Sequence, residues 1–174
     1  MIEGFGIPLL ELDGYEADDV IGTLAKAASK KDFEGYMMTP DKDYAQLVEE
    51  HVFLYKPAYM GNAVETLGIP EVLRKFDIQN VDQVRDVLGL KGDAVDNIPG
   101  IPGVGDKTAS KLLKEYETVE NVVANADQLK GALQKKVMEF GEQGIFSKKL
   151  ATIMTEVPIS FDEEKLSVSE PSKD

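Results

Sequence analysis

Acidic residues form three short groups in this sequence, each spaced so that neighbouring carboxylates can share a ligand. The groups are Glu16-Ala17-Asp18-Asp19, Asp41-Lys42-Asp43 and Gly92-Asp93-Ala94-Val95-Asp96-Asn97. Carboxylate oxygens are the ligands that Mg²⁺ and Mn²⁺ prefer. Two such ions about 4 Å apart activate a water molecule and stabilise the leaving oxygen in a displacement at phosphorus. The groups therefore predict metal-dependent phosphodiester hydrolysis if the fold brings them together.

The predicted metal ligands are Glu16, Asp18, Asp19, Asp41, Asp43, Asp93 and Asp96. Each group alone has an ordinary explanation: a helix cap for the first, a turn after a strand for the second, and loop polarity for the third. The combination favours a metal site, because seven carboxylates at one edge of a sheet repel one another unless cations neutralise them.

The rest of the composition excludes several other chemistries. The chain has no cysteine, which excludes disulfides, thiolate zinc sites and a cysteine nucleophile. Its one histidine, His51, is interpreted as a strand-end residue rather than a catalytic base. No apolar run approaches the ~18–20 residues that a membrane span needs. We expect a cytoplasmic protein that does not interact with membranes.

A loop rich in glycine and proline spans residues 98–109. Gly103 and Gly105 allow positive φ and close backbone approach, and a helix predicted to begin near Asp106 offers its free N–H groups to an anion. Lys107, Lys111 and Lys114 then lie on one face of that helix. This arrangement predicts a helix–hairpin–helix that holds a DNA backbone without reading bases. A nucleotide cradle and a plain Gly/Pro turn are the alternatives.

The predicted DNA-binding residues are Gly100, Gly103, Val104, Gly105, Lys107, Thr108 and Lys111. A second basic set either widens this footprint or forms a solvated helix face: Lys130, Lys135, Lys136, Lys148 and Lys149. The net charge of −13 opposes DNA binding as a sum, but its distribution does not. Residues 1–97 hold 19 acids and 9 bases, whereas residues 98–150 hold 7 acids and 8 bases.

Hydrophobic patterning predicts an α/β half followed by a helical half. Strands are expected at 9–12, 35–39 and 51–55, with helices at 16–29 and 43–48. Short connections between them predict a doubly wound, largely parallel sheet, with the first two acidic groups at its carboxyl edge. Later helices are expected at 70–76, 81–88, 105–116, 118–125 and 132–155, one strand at 157–161, and a loose tail after Glu163.

The motifs Gly14-Tyr15-Glu16-Ala17-Asp18-Asp19, Thr39-Pro40-Asp41-Lys42-Asp43 and Gly92-Asp93 through Lys107-Thr108-Ala109 occur together in this order. In this combination the sequence resembles the 5′ nuclease (flap endonuclease-like) family, and most of all the 5′→3′ exonuclease domain of bacterial DNA polymerase I. The resemblance covers about residues 1–160 and includes Phe146–Ile153.

The resemblance implies a PIN-like (resolvase-like) partial parallel sheet followed by a helix–three-turn–helix DNA-binding region. The expected division is a nuclease core at 1–90, a helical DNA-binding region at 91–160 and a tail or linker at 161–174. The implied activity is structure-directed removal of 5′ flaps and RNA primers in replication and repair. The implied cofactors are two Mg²⁺ or Mn²⁺ ions, with K⁺ also held at the hairpin in family members.

By motif, Glu16, Asp18 and Asp19 would belong mainly to the first metal site, and the other four acids would build or support the second. Family members begin with roughly a hundred residues that this sequence lacks, including further metal-binding acids. The resemblance therefore implies an exposed sheet edge, which a homodimer or the missing part would cover. Polymerase domains are expected to follow in the parent protein.

Two other functions remain open at this point. The first is a non-catalytic, sequence-independent DNA-binding module, in which the hairpin works and the carboxylates do not. The second is a PIN-type RNase or metal-dependent phosphatase that acts on other phosphate esters. The carboxylates favour a hydrolase, whereas the hairpin and its lysines favour DNA as the partner, either 5′-flap or nicked duplex.

Overall fold

The structure is a computed structural model that describes residues 3–58, 61 and 63–171. Its strands are Gly35–Met38 (β1), Val52–Lys56 (β2) and Glu65–Leu67 (β3). Its helices are Ala17–Ser29 (α1), Ile69–Phe76 (α2), Gln83–Lys91 (α3), Asp106–Tyr116 (α4), Val119–Ala124 (α5), Gly131–Ala151 (α6) and Glu163–Leu166 (α7). Single 3₁₀ turns lie at Glu3–Phe5, Asp43–Leu47 and Ala126–Gln128.

The predicted α/β fold class is confirmed, but the sheet is small and mixed. β1 pairs with β2 in parallel, and β3 pairs with β2 in the antiparallel direction. β3 is a three-residue strand that the sequence analysis missed, because so short a run before Pro70 carries no periodicity. β1 lies at one edge of the sheet, with Tyr36 and Met38 exposed.

Two of the predicted strands are wrong. Residues 7–12 belong to no strand, and Leu9 and Leu10 are exposed. Residues 157–161 contain a tight turn in which the Ile159 N–H donates to the Val157 carbonyl at 2.7 Å. In both segments the apolar pattern is real, but no described strand lies alongside to supply hydrogen bonds, and a strand requires that partner.

The loose tail expected after Glu163 is contradicted in part, because α7 continues to Leu166 and Ser169 contacts Gly6, and residues just before the tail make contacts as well. Lys31 bonds Glu163 at 3.1 Å, and its ammonium lies 5.2 Å from the centroid of the Phe161 ring. The Ser169 N–H donates to the Gly6 carbonyl at 2.9 Å. These contacts tie the tail to the first half of the chain.

A continuous hydrophobic core runs from β1 to the end of α6. Its most deeply buried large aliphatic side chains are Leu54, Leu67, Leu88, Leu90, Ile101 and Leu113. They come from the sheet, α3, the glycine loop and α4, so the core crosses the predicted boundary near residue 90. Among the described residues, no helix is long and apolar enough to cross a membrane.

Gly92 and Gly100 bring the two ends of the third acidic loop into backbone contact. Both have positive φ, +77° and +59°. A Cβ on Gly100 would overlap the Gly92 nitrogen and the Lys91 carbonyl carbon. Only glycine fits here, because both the left-handed backbone and the close approach exclude a side chain.

We expect Gly100→Ala to destabilise the protein by at least about 2 kcal/mol more than Gly131→Ala. Gly131 has nearly the same φ, +64°, but a Cβ there meets nothing within 4 Å. The control should therefore lose only the ~1 kcal/mol cost of a left-handed alanine. Urea denaturation of both variants measures the difference, and equal losses would contradict the close-packing explanation.

Candidate metal centre and nucleic-acid interface

The three acidic groups converge on one cleft of about 1070 Å³. Its acidic lining residues are Glu16, Asp18, Asp19, Asp41, Asp43 and Asp96. The end of α6 and the segment after it also line the cleft, with Phe146, Lys149 and Met154 among their residues. The cleft therefore combines a carboxylate wall with a wall that carries one lysine and several apolar side chains.

Asp43, Asp93 and Asp96 form the tightest part of this cluster. One carboxylate oxygen from each lies within 4.8 Å of the others. The turn that carries Asp93 and Asp96 is closed by two backbone hydrogen bonds between Asp93 and Ile98, of 2.8 and 2.7 Å. Asp93 and Asp96 thus lie close together, as their spacing predicted, and a β-bridge between Asp93 and Ile98 closes the turn that carries them.

Asp43 is the carboxylate whose surroundings most clearly require a cation. The residue is 8% exposed, and its Oδ1 has no hydrogen-bond partner among the described residues. Burial, followed by the charge of Asp41, raises the pKa of Asp43 to about 6, and Asp93 and Asp96 add to the shift. A buried carboxylate that has an unpartnered oxygen and two further carboxylates nearby fits a hard divalent ion.

Asp93 is fixed on both of its oxygens. The Val95 N–H donates to Oδ1 at 2.9 Å, and the Lys42 ammonium contacts Oδ2. Burial opposes ionisation of Asp93, but the hydrogen bonds from Lys42 and the Val95 N–H, together with the charges of Lys42 and Lys91, outweigh it and hold the pKa of this carboxyl below its ordinary value. The hydrogen bond between Lys42 and Asp93 raises the pKa of Lys42, so this pair is charged on both sides.

The first acidic group lies at the start of α1, although the strand predicted to lead into it is absent. Asp19 accepts the Met154 N–H on Oδ1 at 2.8 Å and the Glu16 N–H on Oδ2 at 3.4 Å. Asp18 accepts the Asp19 N–H at 2.9 Å. Burial raises the pKa of Asp18, and the charges of Asp19 and Glu16 add to this effect.

Tyr44 is a buried residue between the first two acidic groups that the sequence analysis did not single out. Burial raises the pKa of Tyr44 to about 12, with further contributions from Asp18, Asp41 and Asp19. A single phenol therefore senses carboxylates from both groups. Asp41 itself orders the second group, since its Oδ1 accepts the Asp43 N–H at 2.9 Å.

The glycine loop presents an anion-binding geometry at the start of α4. Gly103 has φ +81° as predicted, whereas Gly105 has φ −109° and is extended, which corrects the expectation of positive φ there. Both are exposed, and the Gly105 carbonyl accepts the Thr108 and Ala109 N–H groups. The first N–H groups of α4, at Asp106 and Lys107, have no partner within the helix.

Two of the predicted DNA-binding residues are buried in the protein instead of exposed at its surface. Gly100 is buried, its N–H donates to Ser147 Oγ at 3.1 Å, and its carbonyl accepts from Gln143 at 2.6 Å. Val104 is 5% exposed, and its N–H donates to the Ile101 carbonyl at 3.0 Å. Both residues shape the loop and have little surface left for a ligand.

The predicted lysines likewise divide into exposed residues and residues that are paired with carboxylates. Lys107 and Lys111 are exposed, and no described carboxylate lies within 4.0 Å of either ammonium. Lys114 bonds Asp77 at 2.5 Å. Lys148 is 19% exposed and bonds Asp86 at 2.7 Å and Glu120 at 2.8 Å, so it cannot be part of a DNA footprint.

Other members of the second set remain compatible with a surface role. Lys149 lines the metal cleft, and the Lys136 ammonium lies next to the position where a Gly103 side chain would be. Lys130 and Lys135 are exposed or partly exposed on the start of α6.

Gln46 is a further residue that sequence reasoning missed. Its side chain donates to the Ala151 carbonyl at 2.9 Å and accepts the Ile153 N–H at 3.0 Å. It thereby joins the turn that carries Asp43 to the end of α6. A single glutamine in a short turn gives no sequence signal for so distant a contact.

Comparison with known protein families identifies both halves of the chain. A family model described as "5'-3' exonuclease, N-terminal resolvase-like domain" matches residues 1–77. A second, described as "5'-3' exonuclease, C-terminal SAM fold", matches residues 79–174. Together they account for nearly the whole sequence.

Curated relatives are considerably longer than this chain. DNA polymerase I of Bacillus subtilis is 42% identical over 160 residues, which are 91% of this chain and 18% of that protein. A 5'-3' exonuclease of Aquifex aeolicus is 43% identical over 166 residues, or 95% of this chain and 55% of that protein. The chain thus spans about a fifth of the polymerase and about half of the exonuclease.

Solved structures share the fold at low sequence identity. A T5 5'-exonuclease mutant has a TM-score of 0.71 and 20% identity, over 84% of this chain and 58% of that one. The catalytic core of Rad2 in complex with a DNA substrate has a TM-score of 0.63 and 16% identity, over 98% and 56%. A zinc-bound T5 5'-exonuclease has a TM-score of 0.70 and 20% identity, over 82% and 51%.

We expect Asp43→Asn to change how the stability of the metal-free protein depends on pH. The folded pKa of about 6 lies above the ordinary value of 3.8. Because the folded state holds this proton more tightly, the stability that it contributes is present below the ordinary value and is lost as pH rises through about 6. In EDTA, the variant should lose less stability than the wild type between about pH 5 and about pH 7.5, by roughly 1–2 kcal/mol.

Urea denaturation across this pH range measures the effect. Glu139→Gln serves as the control, because Glu139 is an exposed acid on α6 away from the cleft. Parallel pH profiles for wild type, control and Asp43→Asn would show that burial of Asp43 has no energetic consequence.

Proposed function

The chain belongs to the 5′-3′ exonuclease family, a family of nucleases, and from this premise we propose that it holds two divalent ions and a DNA backbone for structure-specific 5′→3′ exonuclease or flap endonuclease cleavage. Because the chain spans about a fifth of the polymerase and about half of the exonuclease that it matches, the activity of such whole proteins is a proposal for this chain. We propose that this activity is cytoplasmic, because its DNA substrate would be located there. The observation that carries the proposal is the cluster of Asp43, Asp93 and Asp96, in which Asp43 Oδ1 is buried without a hydrogen-bond partner among the described residues.

The residues divide between two ions in this proposal. Asp43, Asp93 and Asp96 would hold one ion, with Asp41 supporting Asp43 through its backbone hydrogen bond. Glu16, Asp18 and Asp19 lie elsewhere on the same cleft and would hold the other. Bound Mg²⁺ or Mn²⁺ supplies an activated water and neutralises charge at the leaving oxygen.

The hairpin would hold the duplex at a distance from the chemistry. The free N–H groups at the start of α4, together with Lys107, Thr108 and Lys111, present positive potential to a phosphate backbone. Gly103 and Gly105 are exposed and allow the backbone to approach closely. Four further expectations remain predictions: K⁺ at this hairpin, division of the chain at residues 90 and 160, fusion to polymerase domains, and a homodimer through the edge of β1.

We expect Mg²⁺- or Mn²⁺-dependent cleavage of a 5′-flap duplex to fall at least about 100-fold in Asp43→Asn and Asp96→Asn, because each variant removes an ionised ligand. Duplex binding should persist in both variants, since neither residue belongs to the hairpin. Gel-based cleavage and fluorescence anisotropy measure the two properties on the same preparations. Glu139→Gln again provides a remote control.

A different result would favour the alternative function. If the wild-type chain binds duplex in a salt-sensitive manner but does not cut any flap or nicked substrate with either metal, the chain by itself is a DNA-binding module. Cleavage of single-stranded RNA or small phosphate esters in preference to flaps would favour the PIN-type RNase or phosphatase.

We expect Lys107→Ala and Lys111→Ala each to weaken duplex binding to the same degree for unrelated sequences. Each should reduce the slope of log affinity against log salt by about 1, as the loss of one phosphate contact requires. Lys114→Ala is the matched control on the same helix, because Asp77 already neutralises that ammonium. An unchanged slope in all three variants would exclude this face of α4 from the DNA interface.

A further inference from the structure

We propose that Lys42 is a built-in cation that competes with the divalent ion for Asp93 and thereby lowers the metal affinity of the Asp43–Asp93–Asp96 cluster. The inference rests on the proposed metal binding and deepens it. It concerns a lysine that lies between two of the predicted ligands in sequence and contacts a third in space.

The contact uses the one oxygen of Asp93 that the backbone leaves available. Oδ1 accepts the Val95 N–H at 2.9 Å, which holds the carboxylate in a fixed orientation. Lys42 Nζ contacts the other oxygen, Oδ2. Because the Asp93 side chain is 3% exposed, an ion that binds Oδ2 must share or take the position of this ammonium.

The neutralisation that Lys42 provides is incomplete. Three carboxylates face one another within 4.8 Å, and a single ammonium compensates one of their charges. Asp43 Oδ1 meanwhile has no partner among the described residues. The cluster thus keeps a strong attraction for a divalent ion, but weaker than the three carboxylates alone would exert.

The lysine is also able to move aside. Its side chain is 42% exposed, in contrast to that of Asp93. Its backbone is held between Asp41 and Asp43, so the flexible stem alone has to change rotamer for the ammonium to reach solvent. Displacement therefore costs the ion pair and little else, which suits a cation that yields to metal.

The opposite role for Lys42 makes the opposite prediction. If Lys42 served mainly to position Asp93 as a ligand, its removal would disorder the carboxylate and weaken metal binding. If it competes with the ion, its removal leaves the metal-free cluster uncompensated and strengthens metal binding, because a positive charge a few ångströms from a divalent ion is repulsive.

The test is Mn²⁺ binding to the full chain, measured by electron paramagnetic resonance and calorimetry. We expect Lys42→Met to bind Mn²⁺ about tenfold more tightly than the wild type at the cluster. Lys42→Arg retains the cation and should bind Mn²⁺ no more tightly than the wild type. Lys91→Met is the matched control, because Lys91 lowers the pKa of Asp93 by its charge but bonds Asp106 at 2.7 Å instead.

Thermal unfolding supplies a second readout that does not depend on catalysis. In EDTA, Lys42→Met should unfold at a lower temperature than Lys42→Arg, and saturating Mn²⁺ should stabilise Lys42→Met more than it stabilises the wild type. If Lys42→Met folds poorly without metal, Lys42→Arg still tests the proposal, because arginine keeps the positive charge while it changes the contact with Asp93.

The outcomes separate this inference from the proposed function. Unchanged or weaker Mn²⁺ binding in Lys42→Met, alongside normal wild-type binding, overturns the role of Lys42 and leaves the metal site intact. Equal tightening in Lys42→Met and Lys91→Met also overturns it, since a general loss of positive charge would then explain the effect. Absence of Mn²⁺ binding by the wild type overturns the proposed metal site, and the competition with it.

Discussion

Repulsion among clustered carboxylates, of which Asp43 and Asp93 are buried, is the constraint on which the rest of this structure depends. The fold places six acids around one cleft, and two of them, Asp43 and Asp96, lie within ligand-sharing distance of Asp93. Such an arrangement raises the free energy of the metal-free protein, because burial and, after it, the neighbouring carboxylates raise the pKa of Asp43. The chain offsets part of this cost with Lys42 and with N–H donors to Asp18, Asp19 and Asp93. The negative charge that remains uncompensated attracts a cation.

Helix α6 connects the two functional surfaces. Ser147 and Gln143 hold Gly100 and therefore fix the loop that leads to the hairpin. The end of the same helix is joined to the Asp43 turn through Gln46. The ion pairs of Lys148 with Asp86 and Glu120 anchor the helix to α3 and α5. A rigid element of 21 residues thus sets the distance between the carboxylate cleft and the glycine loop.

The sequence predicted that the carboxylate groups would lie at one site, but for reasons that were only partly right. The strand expected at 9–12 is absent, yet Asp18 and Asp19 still lie on the cleft, because the start of α1 packs against the segment after α6. Gly100 was predicted to contact DNA because its neighbours have that pattern, but its burial was not visible from spacing. Residue type and order identify a family motif, whereas burial depends on contacts between distant segments.

What the sequence determined by itself is the chemistry: seven carboxylates in three motifs, no cysteine, one histidine, and a glycine loop ahead of a basic helix. These features depend on residue identity and local spacing, and they were sufficient to indicate the family. The tertiary structure decided which lysines are free. Lys107, Lys114 and Lys148 are the same residue type, but Lys107 is exposed, Lys114 is paired with Asp77, and Lys148 is partly buried and paired with the buried Asp86. It also placed Lys42 on Asp93, because ion pairs form between residues that only folding brings together.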